Sequence, residues 1–426
     1  MKETYTLQEK VRQFAIILLP ILVTQIALYA MSFFDTIMSG QAGTNDLAGV
    51  AIGANIWLPI HTGLNGILLA VSPLVAQLLG AKEQDEISPT VVQALYLSLL
   101  IALLVMSIGG VILKPLLVFM GLEEAVEIIA FRYSLSLGTG IIPYFAYTVL
   151  RSFIDSLGKT NLTMYITLIS LPTNIFLNYS FIFGKFGFPR LGGVGAGVAS
   201  SLTYWLILAI TVMVVICLDP FKKHKIFSRL YPVSISKQLE IVKIGTPIGF
   251  AIFLETAVFA VVTILMSRFN TVTIAAHQAA MNFESLLFMV PLSMSIALTI
   301  LIGFEVGGKR LKDAKTYLKI GISASLFLSL LCALCLFLFR EQVALFYSKD
   351  KEVIALIKYF LLYAIFFQLS DAIGAPIQGA LRGYKDVNIT SLMVFIAYWA
   401  VGLPLGYVLA VYTNLGAVGY WIGLLV

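Results

Sequence analysis

The chain has 426 residues, of which 59% are hydrophobic and only 12% charged, and its formal net charge is +6. Soluble domains carry about 25% charged residues, and a single soluble core stops growing near about 250–300 residues. The composition therefore argues against a soluble enzyme, a nucleic-acid-binding protein and a disordered chain. It predicts an all-α integral membrane protein. The three cysteines lie in apolar stretches, which leaves no disulfide framework.

Apolar runs between charged breaks predict twelve transmembrane helices, because about 20 apolar residues cross the hydrocarbon core. The runs are 14–39, 47–79, 91–120, 125–150, 162–183, 194–218, 241–266, 274–306, 317–339, 353–381, 389–412 and 415–426. The last run has twelve residues and reaches only about 18 Å. We therefore expect the twelfth helix to be truncated, and the chain to lack its natural end.

The Lys and Arg residues between the predicted spans are unevenly divided between the two sides of the membrane. Most of them fall on the side of the amino terminus, including the basic segment 219–237. Cytoplasmic loops carry the excess of positive charge. We therefore expect a multi-pass protein of the inner (cell) membrane with a cytoplasmic N-terminus.

The two halves of the sequence are similar to each other at a shift of 227 residues. At this shift Pro20-Ile21 falls on Pro247-Ile248 and Asn55 on Asn282. The repeat predicts a six-helix lobe at 1–218, a cytoplasmic linker at 219–237 and a second six-helix lobe at 238–426. Six is an even number, so the lobes are expected to be related by a pseudo-two-fold axis along the membrane normal. Because proline breaks the helical hydrogen-bond ladder, Pro20 and Pro247 are candidate hinges.

Four acidic residues lie inside predicted spans and away from their ends, where a charge costs about 2.5–3.5 kcal/mol on insertion scales and usually marks function. Asp35 lies late in the first span, Glu255 and Asp371 lie in the middle of spans in the second half, and Glu284 lies in the eighth span. Such carboxylates suit Na⁺, which prefers oxygen ligands, or H⁺, which a desolvated carboxylate holds more readily. The sequence leaves both ions open. Competition between the ion and a cationic substrate would couple their movements.

Amide and aromatic side chains accompany these acids. Amides four residues apart share a helical face, which pairs Gln278 with Asn282 and Asn174 with Asn178. Aromatic rings in the second half offer cation–π contacts to a substrate. The candidate substrate-cavity residues from these patterns are Gln278, Asn282, Asn55, Asn174, Asn178, Phe259, Phe288, Phe367 and Glu284.

Several motifs resemble the multidrug and toxic compound extrusion (MATE) family, in particular its NorM-like branch. They are Phe34-Asp35-Thr36-Ile37-Met38-Ser39-Gly40, Leu254-Glu255-Thr256, Ala276-His277-Gln278, Asp371-Ala372 and Gly379-Ala380-Leu381-Arg382-Gly383-Tyr384-Lys385-Asp386. The resemblance implies cation-coupled export, by alternating access, of organic and often cationic compounds. It also implies a cation site at Glu255 and Asp371, an ion-binding acid at Asp35, and a cavity role for Asn55, Gln278 and Asp350. The family pattern has a hydroxylated aromatic four residues before Asp371, where this chain has Phe367.

Two other functions are less consistent with the sequence. A flippase for lipid-linked oligosaccharides is related in fold, but it would need basic residues in the cavity, and acids occupy the middle of the spans here. An intramembrane prenyltransferase would need Asp-x-x-x-Asp in a span, which this sequence lacks. We expect a transporter rather than an enzyme, without a cofactor other than the coupling ion. We further expect a monomer in the lipid bilayer that binds small organic compounds and no nucleic acid.

Overall fold

The computed structural model describes residues 1–229 and 231–425, and over these ranges the regular structure is helical. Leu230, in the predicted linker, and Val426, at the end of the twelfth run, lie outside the described residues. The α-helices are α1 (Leu7–Ala42), α2 (Thr44–Leu68), α3 (Val71–Gly80), α4 (Gln84–Phe119), α5 (Glu124–Gly138), α6 (Ile141–Ser156), α7 (Thr160–Phe183), α8 (Gly193–Cys217), α9 (Ile235–Met266), α10 (Thr271–Gly307), α11 (Leu311–Tyr347), α12 (Lys351–Tyr384), α13 (Val387–Val394), α14 (Leu403–Tyr412) and α15 (Ala417–Leu425). A 3₁₀ turn, Lys222–His224, lies between α8 and α9, and a π-helix, Phe395–Gly402, joins α13 to α14.

The apolar helices agree with a multi-pass membrane protein. Within the described residues, ten helical stretches are long and apolar enough to cross a membrane. Counting the bent pair α5–α6 as one further span gives eleven. The twelfth predicted run contains only α15, a nine-residue helix. Twelve spans were expected, with the last of them truncated, and this short helix lies at the twelfth position.

Three predicted spans contain breaks that hydrophobicity does not reveal. The run 47–79 is divided into α2 and α3. The run 125–150 is divided into α5 and α6, which meet at an angle of 43°. A Cβ atom on Gly140, at this break, would lie 2.9 Å from Cα of Ser201, so only glycine allows the bend to approach α8 this closely. The run 389–412 contains the π-helix described above.

The chain forms two compact units whose boundaries lie inside helices α1 and α9. The first unit comprises Met1–Lys2 and Leu19–Thr246, and the second comprises Glu3–Leu18 and the residues from Pro247 onward. Pro20 and Pro247, the two prolines related by the sequence repeat, therefore lie at or beside the points where α1 and α9 pass from one unit to the other. The predicted lobe boundaries at 218 and 238 stay predictions.

Small residues bring helices into close contact within each unit. In the second unit a Cβ atom on Gly379 of α12 would lie 2.2 Å from the carbonyl oxygen of Ser295 on α10. Thr299 Oγ1 also donates to the Gly379 carbonyl at 2.9 Å. In the first unit a Cβ atom on Gly53 of α2 would meet the ring of Tyr133 on α5 at 2.6 Å. Membrane helices associate largely through such small residues, since lipid provides little hydrophobic drive between them.

Candidate functional site

A hydrogen-bonded polar group surrounds Asp35 in the first unit. Asn178 Nδ2 on α7 donates to Asp35 Oδ1 at 2.5 Å, and Ser200 Oγ on α8 donates to Oδ2 at 2.7 Å. Asn178 Nδ2 also donates to Asn174 Oδ1 at 3.1 Å, and Asn174 Nδ2 lies 3.5 Å from Thr203 Oγ1. Both carboxylate oxygens of Asp35 thus have partners, supplied by helices that follow it in the chain.

The structure separates the other predicted residue of this lobe from Asp35. Asn55 on α2 is exposed and lies outside the hydrogen-bonded group. A cavity of about 430 Å³ lies one to two helical turns beyond Asp35 along α1, where its lining includes Met38, Gln41, Lys185 and Arg190. Ser200 and Thr203 were missed from the sequence. Their only signal was a cluster of hydroxyl side chains in an otherwise apolar helix.

In the second unit Glu255 on α9 accepts a hydrogen bond from one residue of α12, which in turn accepts one from a second residue of α12. Gln378 Nε2 donates to Glu255 Oε1 at 2.9 Å, and Arg382 Nη2 lies 3.4 Å from Gln378 Oε1. Arg382 is buried, and among the described residues its Nε has no hydrogen-bond partner. Gln378 and Arg382 were not predicted as site residues, although Arg382 belongs to a motif that the sequence analysis singled out.

Two further carboxylates each have one buried oxygen without a hydrogen-bond partner among the described residues. These oxygens are Oδ2 of Asp371 and Oε1 of Glu284. The charges of Glu284 and Glu255 both act on Asp371. An unpaired buried carboxylate is unfavourable unless it binds a cation or a proton. In the described residues no three acidic, histidine or cysteine side chains converge tightly enough to hold a metal ion by themselves. An ion held here would need further oxygen ligands.

Aromatic rings pack between the helices that carry Glu255 and Asp371. The Phe259 and Phe367 rings meet edge to face with centroids 5.8 Å apart, and Phe259 lies 6.3 Å from the ring of Tyr398. Phe259 is one turn beyond Glu255, and Phe367 is buried one turn before Asp371. Tyr398 was not predicted as a site residue. It lies in the apolar run 389–412, where the sequence does not indicate the π-helix that positions its ring.

Residues of α10 predicted to share one cavity lie on different helical faces. Gln278 and Asn282 are exposed, and Asn282 Oδ1 accepts a hydrogen bond from the Tyr347 hydroxyl at 2.9 Å. Glu284 is instead buried, and so is His277, which packs beside the ring of Trp421. The structure therefore places Glu284 apart from the two amides.

The two remaining candidates are a phenylalanine of α10 and an aspartate at the start of α12. Phe288 on α10 is half-buried. Asp350 is exposed at the start of α12, where its Oδ1 accepts the Glu352 backbone N–H at 2.8 Å, so it acts as the helix N-cap.

A sequence model described as MatE matches residues 20–180 and again residues 247–408. The two matches start at Pro20 and Pro247, 227 residues apart, as the internal repeat predicts. The chain belongs to the MatE family. The family resemblance drawn from the motifs is therefore confirmed.

Curated relatives and solved structures agree with membership in the MatE family. Proteins described as "Probable multidrug resistance protein NorM" from Halalkalibacterium halodurans and Bacillus subtilis are each 55% identical over 425 residues. These alignments cover all of this chain and 93% and 94% of the relatives. An outward-facing multidrug resistance MATE family transporter superposes with a TM-score of 0.90 at 18% identity over 100% of this chain and 95% of that one. The eukaryotic MATE transporter AtDTX14 gives 0.89 at 20% identity over 98% of this chain and 92% of its own.

These structural similarities establish the fold, which is all-α with the two-lobe MATE architecture. The predicted fold class is confirmed. The NorM relatives place the chain in the NorM-like branch of the MatE family, a family of transporters.

Proposed function

We propose that this MatE-family protein is a secondary multidrug efflux transporter that exports small organic, often cationic, compounds in antiport with Na⁺ or H⁺. The observation that carries the proposal is the pair of buried, unpaired carboxylate oxygens on Asp371 and Glu284. In a membrane protein such oxygens need a positive partner, and ionisable groups inside spans commonly mark ion pathways. A cation that binds, leaves and is replaced by a second cation satisfies this need.

The proposed coupling site in the second lobe consists of Glu255 and Asp371, and these residues would bind the Na⁺ or H⁺. Glu284 adds a third negative charge close to Asp371. Because like charges repel, binding one positive ion lowers the electrostatic cost of keeping the remaining acids ionised. A cationic substrate gives the same relief. The ion and the substrate therefore compete for the same acidic side chains, and this competition is the physical basis of exchange.

The proposed role of Asp35 is a second, separate cation site in the first lobe. Asn178 and Ser200 hold its carboxylate in place through hydrogen bonds to both oxygens. Cation or proton binding at Asp35 would have to reorganise these bonds. We place Asn174 with this group. Gln278, Asn282, Asn55, Asp350, Phe259, Phe288 and Phe367 are proposed to contact substrate.

Pro20 and Pro247 are proposed as hinges of the transport cycle. Each lies where a long helix passes from one compact unit to the other. Proline removes one helical hydrogen bond and its ring crowds the preceding turn, so bending costs less at these positions than elsewhere along α1 and α9. Replacing either proline by alanine should slow transport while leaving ion binding in place.

The orientation and assembly of the protein are proposed from its sequence. The loop cations support an inner-membrane protein with a cytoplasmic N-terminus. Each lobe carries its own acids, so one chain holds a complete set, which supports a monomer. An N-terminal epitope tag should be accessible in everted vesicles and protected in right-side-out ones. Light scattering of the detergent-purified protein should give the mass of one chain.

Ethidium export from vesicles, driven separately by an imposed Na⁺ gradient and an imposed H⁺ gradient, tests the proposed function and identifies the coupling ion. Glu255→Gln and Asp371→Asn should abolish gradient-driven export. Glu352→Gln, which neutralises an exposed acid in the first turn of the same helix α12, is the matched control and should export normally. Wild-type rates under both gradients in the Glu255 and Asp371 variants would refute the proposal.

A further inference from the structure

The π-helix Phe395–Gly402 holds Tyr398 against the helix that carries Glu255. The Leu403 N–H donates to the Tyr398 carbonyl, five residues earlier, which is the π-helical pattern. The Trp399 indole N–H, next along the chain, donates to the Leu254 carbonyl at 3.1 Å. This bond fixes the segment beside the turn of α9 in which Glu255 lies. Single π-helical turns are rare and often occur at functional sites.

The ring of Tyr398 completes a cluster of three aromatic residues on the segments that carry or adjoin the acids. Phe259 of α9 contacts Tyr398 of the π-helix and Phe367 of α12. Phe259 follows Glu255 by one turn and Phe367 precedes Asp371 by one turn, so each acid lies one helical turn from a ring of the cluster. The charges of Asp371, Glu255 and Glu284 all act on Tyr398. Of the three rings, only Tyr398 carries an oxygen.

A hard cation such as Na⁺ needs several oxygen ligands, and two carboxylates supply too few of them while carrying too much charge. Neutral oxygens complete such sites in transporters, often from irregular helical segments. Phe259 and Phe367 supply none. We propose that the hydroxyl oxygen of Tyr398 is a ligand of a Na⁺ ion bound by Asp371 and Glu255, positioned by the π-helix and by the Trp399–Leu254 hydrogen bond. This inference rests on the cation site of the proposed function and specifies its ion and an additional ligand.

Thermal unfolding of the purified protein measures ion binding independently of transport, because a ligand that binds the folded state raises the unfolding temperature with its concentration. Na⁺ is titrated against choline at constant ionic strength. Tyr398→Phe keeps the ring and removes only the oxygen, so it should leave the unfolding temperature in choline unchanged and raise the half-maximal Na⁺ concentration at least about tenfold. The matched control, Tyr407→Phe, removes a hydroxyl from a half-buried tyrosine of α14 and should bind Na⁺ like the wild type.

A relocation variant separates ligation from packing. Tyr398→Phe combined with Phe367→Tyr returns one hydroxyl to the aromatic cluster, one turn before Asp371, and should restore the half-maximal Na⁺ concentration to within about threefold of the wild-type value. Failure of this variant to recover, an unchanged Na⁺ response in Tyr398→Phe, or a wild type without Na⁺-dependent stabilisation would each overturn the assignment. Ethidium export by the wild type on an H⁺ gradient alone, together with absent Na⁺ stabilisation, would refute Tyr398 as a ligand while leaving the proposed efflux function intact.

Discussion

Gln378 Nε2 donates a hydrogen bond to Glu255 Oε1 at 2.9 Å, which joins α12 to the acid of α9. The opposite end of the same amide faces Arg382, whose Nη2 lies 3.4 Å from Gln378 Oε1. A guanidinium only donates, so Arg382 fixes the orientation of the amide and hence the N–H that Glu255 receives. The neutral side chain of Gln378 therefore links the buried guanidinium of Arg382 to the carboxylate of Glu255.

We predict that Gln378→Met weakens ion-driven export by about tenfold or more. A hydrogen bond to a charged group contributes about 1.5–3 kcal/mol, and the substitution removes this bond from Glu255 while keeping the length of the side chain. The half-maximal driving-ion concentration for ethidium export should change, since the carboxylate loses the group that positions it.

Gln368→Met on the same helix is the control for this prediction. Gln368 is fully buried, and its Nε2 lies 3.2 Å from the Leu287 carbonyl and 3.4 Å from Ser329 Oγ, so its partners belong to helices other than the one that carries Glu255. It should lower the unfolding temperature without changing the ion dependence of export. Equal ion dependence in the two variants would show that Gln378 acts only through packing.

We predict that Ser200 and Asp35 are energetically coupled. Ser200→Ala removes the 2.7 Å bond to Asp35 Oδ2 and should lower export several-fold in the wild-type background. In an Asp35→Asn background the same change should have little further effect, because Ser200 then no longer bonds a charged group. Export rates of the four proteins form a double-mutant cycle, and additive losses would contradict the coupling.

The sequence predicted the helices of both lobes and the residues that carry charge, but it predicted poorly which helices would bring them together. Asn174 and Asn178 could be paired because a four-residue spacing defines one face of one helix. Ser200 and Gln378 could not, since each bonds an acid on a different helix and hydrophobic periodicity does not specify its neighbours. An α-helix turns by about 100° per residue, which places Glu284 on a different face from Gln278, six positions earlier. The separation of these two residues could therefore have been predicted from the sequence. The π-helix around Tyr398 has no signal in an apolar run.

We predict that Lys10 anchors the N-terminal segment within the second unit. Lys10 is 3% exposed, and its Nζ lies 3.1 Å from Asp313 Oδ1 and donates to the Thr4 carbonyl at 2.8 Å. Lys10→Met should destabilise the docking of residues 3–10 by about 1–2 kcal/mol, less than for a fully buried pair because Asp313 is 31% exposed.

Hydrogen–deuterium exchange of the N-terminal peptide measures the effect of Lys10→Met, and faster exchange confined to that peptide is the expected result. Lys312→Met, at an exposed position next to Asp313, removes an equal charge and should leave exchange unchanged. Identical exchange in Lys10→Met and wild type would show that the ion pair contributes nothing to docking.

We predict that low pH destabilises the packing of the linker because it protonates His224. This histidine is 6% exposed, its ring meets the Phe153 ring edge to face at 5.5 Å, and its carbonyl accepts the Ser88 hydroxyl at 2.5 Å. Burial, with a smaller contribution from the positive charge of Lys223, lowers the pKa of His224 below its ordinary value of about 6.5. The folded linker therefore binds a proton less readily than the unfolded linker.

The sign of the pH effect follows from this difference in proton binding. Packing of the linker is fully stable above about pH 6.5, where His224 is neutral in both states, and it weakens as the pH falls through and below that value. Hydrogen exchange of the linker peptide, corrected for intrinsic rates, should rise between pH 7 and pH 5 in the wild type. His224→Phe keeps an aromatic ring beside Phe153 and removes the titrating group, so its corrected exchange should be constant over this range. A wild-type profile as flat as that of His224→Phe would contradict the assignment.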